Sequence, residues 1–173
     1  AANLGMALTA FILYCEKHKL HFDEQKVRQA LGKVNWAGRM QVLSLKPTVI
    51  VDGAHNVHGV KALMSTLRKV FPERKISFVL SILADKDYSQ MIRMICEQAA
   101  KIYVAQNKSD RAASAEAQLK AISPYNVDAV AFPDVAKAYA AALDAAGDDG
   151  VVVAGGSLYT VGEVISAHKR IHA

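Results

Sequence analysis

Apolar positions 4, 7, 8, 11, 12 and 15 recur at the i, i+3, i+4 spacing of one helix face, which predicts a helix over residues 2–17. Asp23 has the character of an N-cap, and Val27, Ala30 and Leu31 carry a second helix over 24–32 that Gly32 ends. Asn35-Trp36-Ala37-Gly38-Arg39 breaks the periodicity and reads as a linker. Beyond it the period changes. Short apolar runs at 40–45, 48–51, 76–82, 101–105, 127–132 and 150–154 alternate with helical patterns at 56–70, 88–100, 113–121, 134–146 and 158–171. Only Lys46-Pro47 separates the first two runs, which points to a tight connection and an antiparallel edge strand. Strand-then-helix repetition predicts the α/β class: a mostly parallel six-stranded sheet with helices on both faces.

In such a sheet the loops at the carboxyl ends of the parallel strands share one edge, and ligands bind there. Those loops carry much of the chain's unusual polar chemistry. Val51-Asp52-Gly53-Ala54-His55-Asn56 places an aspartate, a histidine and an asparagine between a strand and a helix. The Asp52 carboxylate can accept hydrogen bonds from paired hydroxyls such as those of a ribose, or can simply form the turn before Gly53. His55 can donate to a phosphate or shuttle a proton. Asn56 is expected to cap the helix that follows, and His58 falls in its first turn. Lys86, between Asp85 and Asp87, can neutralise an anion, and Asp87 can cap the next helix. Arg111 offers a planar fork for a carboxylate or phosphate. Gly155-Gly156 allows close backbone approach, and Ser157 can cap the last helix.

Composition narrows the classes. The chain has 173 residues, 52% apolar and 21% charged, enough for one cored domain, alone or with an appendage. The net charge of +5 comes from scattered Lys and Arg without interleaved aromatics, which argues for small anionic ligands and against nucleic acid. No apolar run approaches the roughly 20 residues of a membrane span. Cys15 and Cys96 lie on apolar helix faces without metal spacing and are expected as buried thiols in a reducing, cytoplasmic compartment. No metal-ligand spacing, Ser/His/Asp order or GxxxxGK[ST] phosphate loop occurs. The opening Ala1-Ala2-Asn3-Leu4, without methionine and already at a helix, predicts a fragment of a longer protein.

Five segments together resemble the folylpolyglutamate synthase and dihydrofolate synthase family of the Mur ligase superfamily. They are residues 36–40 (WAGRM), 51–56 (VDGAHN), 85–87 (DKD), 111–116 (RAASAE) and 156–163 (GSLYTVGE), in the family's order and spacing. Val57 departs from the proline the family usually has after the asparagine; proline at a first helical position is favourable but dispensable.

The resemblance implies residues 1–34 as the last helices of an ATPase domain, 35–40 as a hinge, and 41–173 as a Rossmann-like glutamate-binding domain. It implies ATP and Mg2+, with the metal ligands mainly in the preceding domain, and glutamate plus dihydropteroate or folates as substrates. It further implies an acyl-phosphate intermediate and a monomer working with the ATPase domain of the same polypeptide. By the same resemblance Arg39, Asp52, His55 and Asn56 contact nucleotide. Lys86, Arg111, Ser157 and Tyr159 line the amino-acid pocket, and His55 and Lys86 take part in the chemistry. Two alternatives stay open on the residues alone: a non-catalytic nucleotide- or ligand-binding module, and another Mur-type amino-acid ligase.

Overall fold

The computed structural model describes residues 2–34 and 36–172, so Ala1, Asn35 of the expected hinge and Ala173 lie outside the described residues. Its contacts divide it into two units, Ala1–Asn35 and Trp36–Ala173. The first holds α1 (Ala2–Lys17) and α2 (Glu24–Gly32). Asp23 caps α2 by accepting from the Lys26 N–H at 3.0 Å. Phe11 packs near Phe22, and Cys15 is buried, while Leu4, Phe11, Leu13 and Tyr14 stay largely exposed.

The second unit contains the sheet: β1 (Gln41–Leu45), β2 (Thr48–Asp52), β3 (Ile76–Leu80), β4 (Ala99–Ala105), β5 (Asp128–Phe132) and β6 (Val151–Gly155). Their spatial order is β1-β2-β6-β3-β4-β5. Only β1 runs antiparallel, hairpinned to β2 through a cis Lys46–Pro47 bond. The helices are α3 (Val57–Val70), α4 (Tyr88–Cys96), α5 (Ala115–Ile122), α6 (Val135–Ala146) and α7 (Leu158–Ile171). Strand residues alternate between the two faces. Ile50, Phe78, Leu80, Ile102 and Val153 pack with α3, α4 and α5; Val49, Val51, Val79, Tyr103 and Val152 pack with α6 and α7. The expected six-stranded sheet with helices on both faces is therefore present.

Several boundaries differ from expectation, two of them for a visible reason. The helix expected to 100 ends at Cys96, because the Gln98 carbonyl accepts from Ile76 N–H at 3.1 Å and draws the chain into parallel pairing at Ala99. The strand expected to 82 leaves the sheet at Leu80, where its backbone turns toward the helix α5. Among the described residues no helix is long and apolar enough to cross a membrane. Both cysteines are buried free thiols, and burial pushes the Cys96 thiol up to about 11.

At the far end of α7, His168 ties three elements together. Burial raises the Tyr139 phenol on α6 to about 12, so it stays protonated and donates to His168 Nδ1 at 2.6 Å. The backbone of Leu43 on β1 lies beside the His168 ring. Burial first, and the neighbouring His172 second, hold the His168 imidazole below its ordinary 6.5. A depressed folded pKa means the unfolded chain takes up its proton first as pH falls. Stability contributed by His168 is thus complete above about pH 6.5 and is lost on acidification below it. Thermal melts between pH 7.5 and 5 are expected to show this decline, with a shallower slope in His168→Gln. Identical slopes would show that His168 is not responsible.

Candidate functional site

The strand order creates the site. β6 lies between β2 and β3, and register aligns Asp52, Gly155, Leu80 and Val104 across the sheet's carboxyl edge. The chain leaves β2 and β3 for helices on one face but leaves β6 for α7 on the other. The loops diverge there, which is the switch point where open parallel sheets form a ligand crevice.

Each loop is shaped by its own residues. Asn56 caps α3, its Oδ1 accepting from Gly59 N–H at 2.8 Å. Asp87 caps α4 through Gln90 N–H at 3.1 Å. Ser157 caps α7 through Thr160 N–H at 3.1 Å. Within the turn after β2, His55 Nδ1 lies 2.8 Å from the Gly53 carbonyl. A carbonyl can only accept, so Nδ1 carries a proton, and the tautomer this selects is the one with its lone pair on Nε2. Asp52 is buried; its Oδ1 accepts from Ala54 N–H and its Oδ2 from Met40 N–H, each at 2.8 Å.

The loops after β3 and β4 are stitched together. Leu83 bridges Ala112, Ala84 N–H donates to the Arg111 carbonyl at 2.7 Å, and Ala113 N–H donates to the Ile82 carbonyl at 2.9 Å. This brings Arg111 and Lys86 to one carboxylate: both cations meet Asp85 Oδ2, Lys86 Nζ at 3.1 Å. Arg111, then Lys86, hold the Asp85 carboxyl below its ordinary 3.8.

His55, Lys86, Arg111, Ser157 and Tyr159 then line one open cavity of about 190 Å³, with Leu83 and Leu158 as its apolar walls. The structure thus gathers five of the expected site residues. Arg39 is exposed, and Arg39, Asp52 and Asn56 do not line this cavity. A larger groove of about 730 Å³ adjoins it, sharing Leu158 and Tyr159 and bordered by Lys108, Asp134, Glu163 and Arg170.

Ser157 lines the cavity although it is only 1% exposed. Its hydroxyl is engaged by Thr160 Oγ1 at 2.7 Å and by Asn107 Nδ2 at 3.1 Å. Asn107 also donates from Nδ2 and from its backbone N–H to Ser81 Oγ, and Thr160 Oγ1 donates to the Ser81 carbonyl at 2.8 Å. Gln118, fully buried, presents Oε1 to Ile82 N–H and Nε2 to the Ala105 and Ala113 carbonyls. These five groups clamp the ends of β3, β4 and β6. Sequence reasoning missed Ser81, Asn107, Gln118 and Thr160, because polar residues just beyond strands or on helices read as surface unless topology buries them.

A mostly parallel α/β sheet with cationic groups and helix N-termini gathered at its switch point defines a Rossmann-like domain with a crevice suited to anions. The chain belongs to the Mur ligase family, glutamate ligase domain, which matches residues 38–158. It is 28% identical over 162 residues to the folylpolyglutamate synthase of Lacticaseibacillus casei, covering 94% of this chain and 36% of that protein. The structure of Escherichia coli FolC in complex with DHPP and ADP superposes with a TM-score of 0.80 at 27% identity, over 89% of this chain and 36% of that one. A bifunctional folylpolyglutamate synthase/dihydrofolate synthase with Mn, AMPPNP and L-glutamate bound gives 0.76 at 32% identity, over 89% and 36%. The chain therefore spans about a third of the length of the relatives it matches.

Proposed function

We propose that this chain is the glutamate-binding C-terminal part of an ATP-dependent ligase that adds glutamate to dihydropteroate, to folates, or to both. The observation that carries this reading is the convergence of His55, Lys86, Arg111, Ser157 and Tyr159 on one cavity at the switch point of the sheet. The likeness to proteins solved with ADP, AMPPNP and L-glutamate supports it.

In the proposed reaction ATP phosphorylates the acceptor's carboxylate. The amino group of glutamate attacks the acyl phosphate, phosphate leaves and an amide forms. Lys86 and Arg111, which share Asp85 in the free domain, exchange that carboxylate for one on glutamate. The bare His55 Nε2 accepts a proton from the amine or positions it. Tyr159, 52% exposed at the rim, covers the bound amino acid. Ser157 acts chiefly by fixing the N-terminus of α7 beside the anion. Arg39 contacts the ATP phosphates, Asn56 shapes the adjoining turn, and Asp52 keeps one lone-pair direction on each oxygen for ribose hydroxyls.

Mg2+ accompanies ATP in this reading. Its ligands are assigned mainly to the ATPase domain. Residues 1–34 form the end of that domain, 35–40 the hinge and 41–173 the glutamate-binding domain. The apolar surface exposed on α1 fits a helix made to pack within something larger. The polypeptide works as a cytoplasmic monomer, a compartment in keeping with two buried free thiols.

The complete polypeptide is expected to incorporate labelled glutamate into dihydropteroate or a folate with ATP, and to complement mutants in folate synthesis or polyglutamylation. The 173 residues alone, which contain no phosphate-loop sequence, are expected to be inactive. Absence of incorporation by the complete polypeptide would overturn the proposal. Ligation by the 173 residues would overturn the need for an upstream ATPase domain.

A further inference from the structure

The two acceptors of Asp52 reach in different directions along the chain. Ala54 belongs to the loop leaving β2, but Met40 lies 12 residues earlier, in the segment that enters β1. That segment is held at other points as well. Gly53 N–H donates to the Gly38 carbonyl at 2.7 Å, and Gly38 N–H donates to Gln41 Oε1 at 2.9 Å. Gly38 and Met40 both take positive φ, +71° and 42°, so the chain here is coiled into a specific shape. Gly38 is buried; a Cβ on it would stand 2.9 Å from Val161 Cγ1 of α7. Residues that read as a free linker are therefore clasped onto the strand ends. Arg39 sits between the two anchored residues, its side chain exposed.

We infer that Asp52 is a positioning residue for Arg39: its carboxylate clasps residues 38–40 to the end of β2, so that the arginine is presented as part of the α/β unit. The physical reason is the buried carboxylate. An ionised oxygen makes a stronger hydrogen bond to a backbone N–H than a neutral acceptor does. It is also costly to leave unpaired, so Met40 N–H and Asp52 Oδ2 hold each other in place. The clasp is a property of this chain alone. Its consequence for catalysis rests on the proposed contact between Arg39 and ATP.

Two variants strike the clasp from opposite sides. Asp52→Asn has one acceptor oxygen and cannot serve Met40 and Ala54 together. Gly38→Ala introduces the Cβ that collides with Val161 and removes the residue suited to φ +71°. In the 173-residue chain, both are expected to accelerate amide exchange at Met40 and Gly53 by about tenfold or more, with Val153 and Ile102 in the sheet centre unchanged. Arg39 is expected to resist trypsin in the parent chain and to be cut in both variants.

In the complete polypeptide, both variants are expected to raise the KM for ATP about fivefold or more with a smaller fall in kcat, as a displaced phosphate ligand would. Equal Met40 exchange in parent and Asp52→Asn, or ready cleavage after Arg39 in the parent, would overturn the clasp. Faster exchange in Gly38→Ala with an unchanged KM for ATP would overturn the positioning role. Faster exchange in a polypeptide with no ATP-dependent ligation would sink the ligase reading and leave the clasp standing.

Discussion

On the proposed reading, Lys86→Met in the complete polypeptide is expected to lower kcat/KM for glutamate by about ten- to a hundredfold, because one charge-assisted hydrogen bond to a carboxylate is worth about 1.5–3 kcal/mol. Methionine keeps the stem's length and apolar character, so the change isolates the ammonium. Arg111 would remain on Asp85, but a single cation must then serve both that aspartate and the incoming carboxylate. The loss should fall mainly on KM for glutamate if Lys86 only binds, and on kcat as well if it also orients the reacting amine. Stability is the control. The Lys86–Asp85 pair is partly exposed, and such pairs contribute little to folding. Thermal melts should therefore be nearly unchanged. A variant with parental glutamate kinetics would remove Lys86 from the site.

A large structural effect is expected at Gly156. Its φ is +97°, and a Cβ there would lie 2.8 Å from Ile82 Cγ1 and 2.9 Å from the Ser81 carbonyl oxygen. Neither neighbour can retreat: Ile82 and Ser81 are fully buried, and the Ser81 carbonyl accepts from Thr160. Gly156→Ala should cost about 3 kcal/mol, combining left-handed strain with overpacking. For a unit of this size that lowers Tm by about 10 °C. Gly162 gives the contrast, since nothing lies within 4 Å of a Cβ there and it sits inside α7. Gly162→Ala should stabilise by roughly 0.5–1 kcal/mol through helix propensity. Paired melts that failed to separate the two substitutions would refute the account of the strand-to-helix turn.

Local chemistry was the legible part of this fold. Asp23, Asn56, Asp87 and Ser157 cap the helices they precede, because a cap needs only its own next three residues. The strands were legible from short apolar runs, and the antiparallel first strand from the brevity of Lys46-Pro47. Strand order was not legible. Nothing in residues 151–155 says that they insert between β2 and β3, since periodicity carries no record of neighbours. Everything that depends on that insertion was hidden with it. Asn107 looks like a loop asparagine until β6 places Ser157 and Thr160 beside it. Asp52 and Lys86 were singled out for ligands, yet their first partners are Met40 N–H and Asp85, contacts set by folding of the chain on itself.

The placement of β6 also sets an order of events. It is the last of the six strands in chain order, yet it pairs with β2 on one side and β3 on the other. Until residues 151–155 emerge, the β1–β2 hairpin and the β3–β4–β5 ribbon have no strand between them. Each then presents an open hydrogen-bonding edge lined by Val49, Val51 or Val79. The keystone strand is therefore the last of the sheet to be made, and a chain terminated before Val151 keeps two adhesive edges in place of a closed sheet.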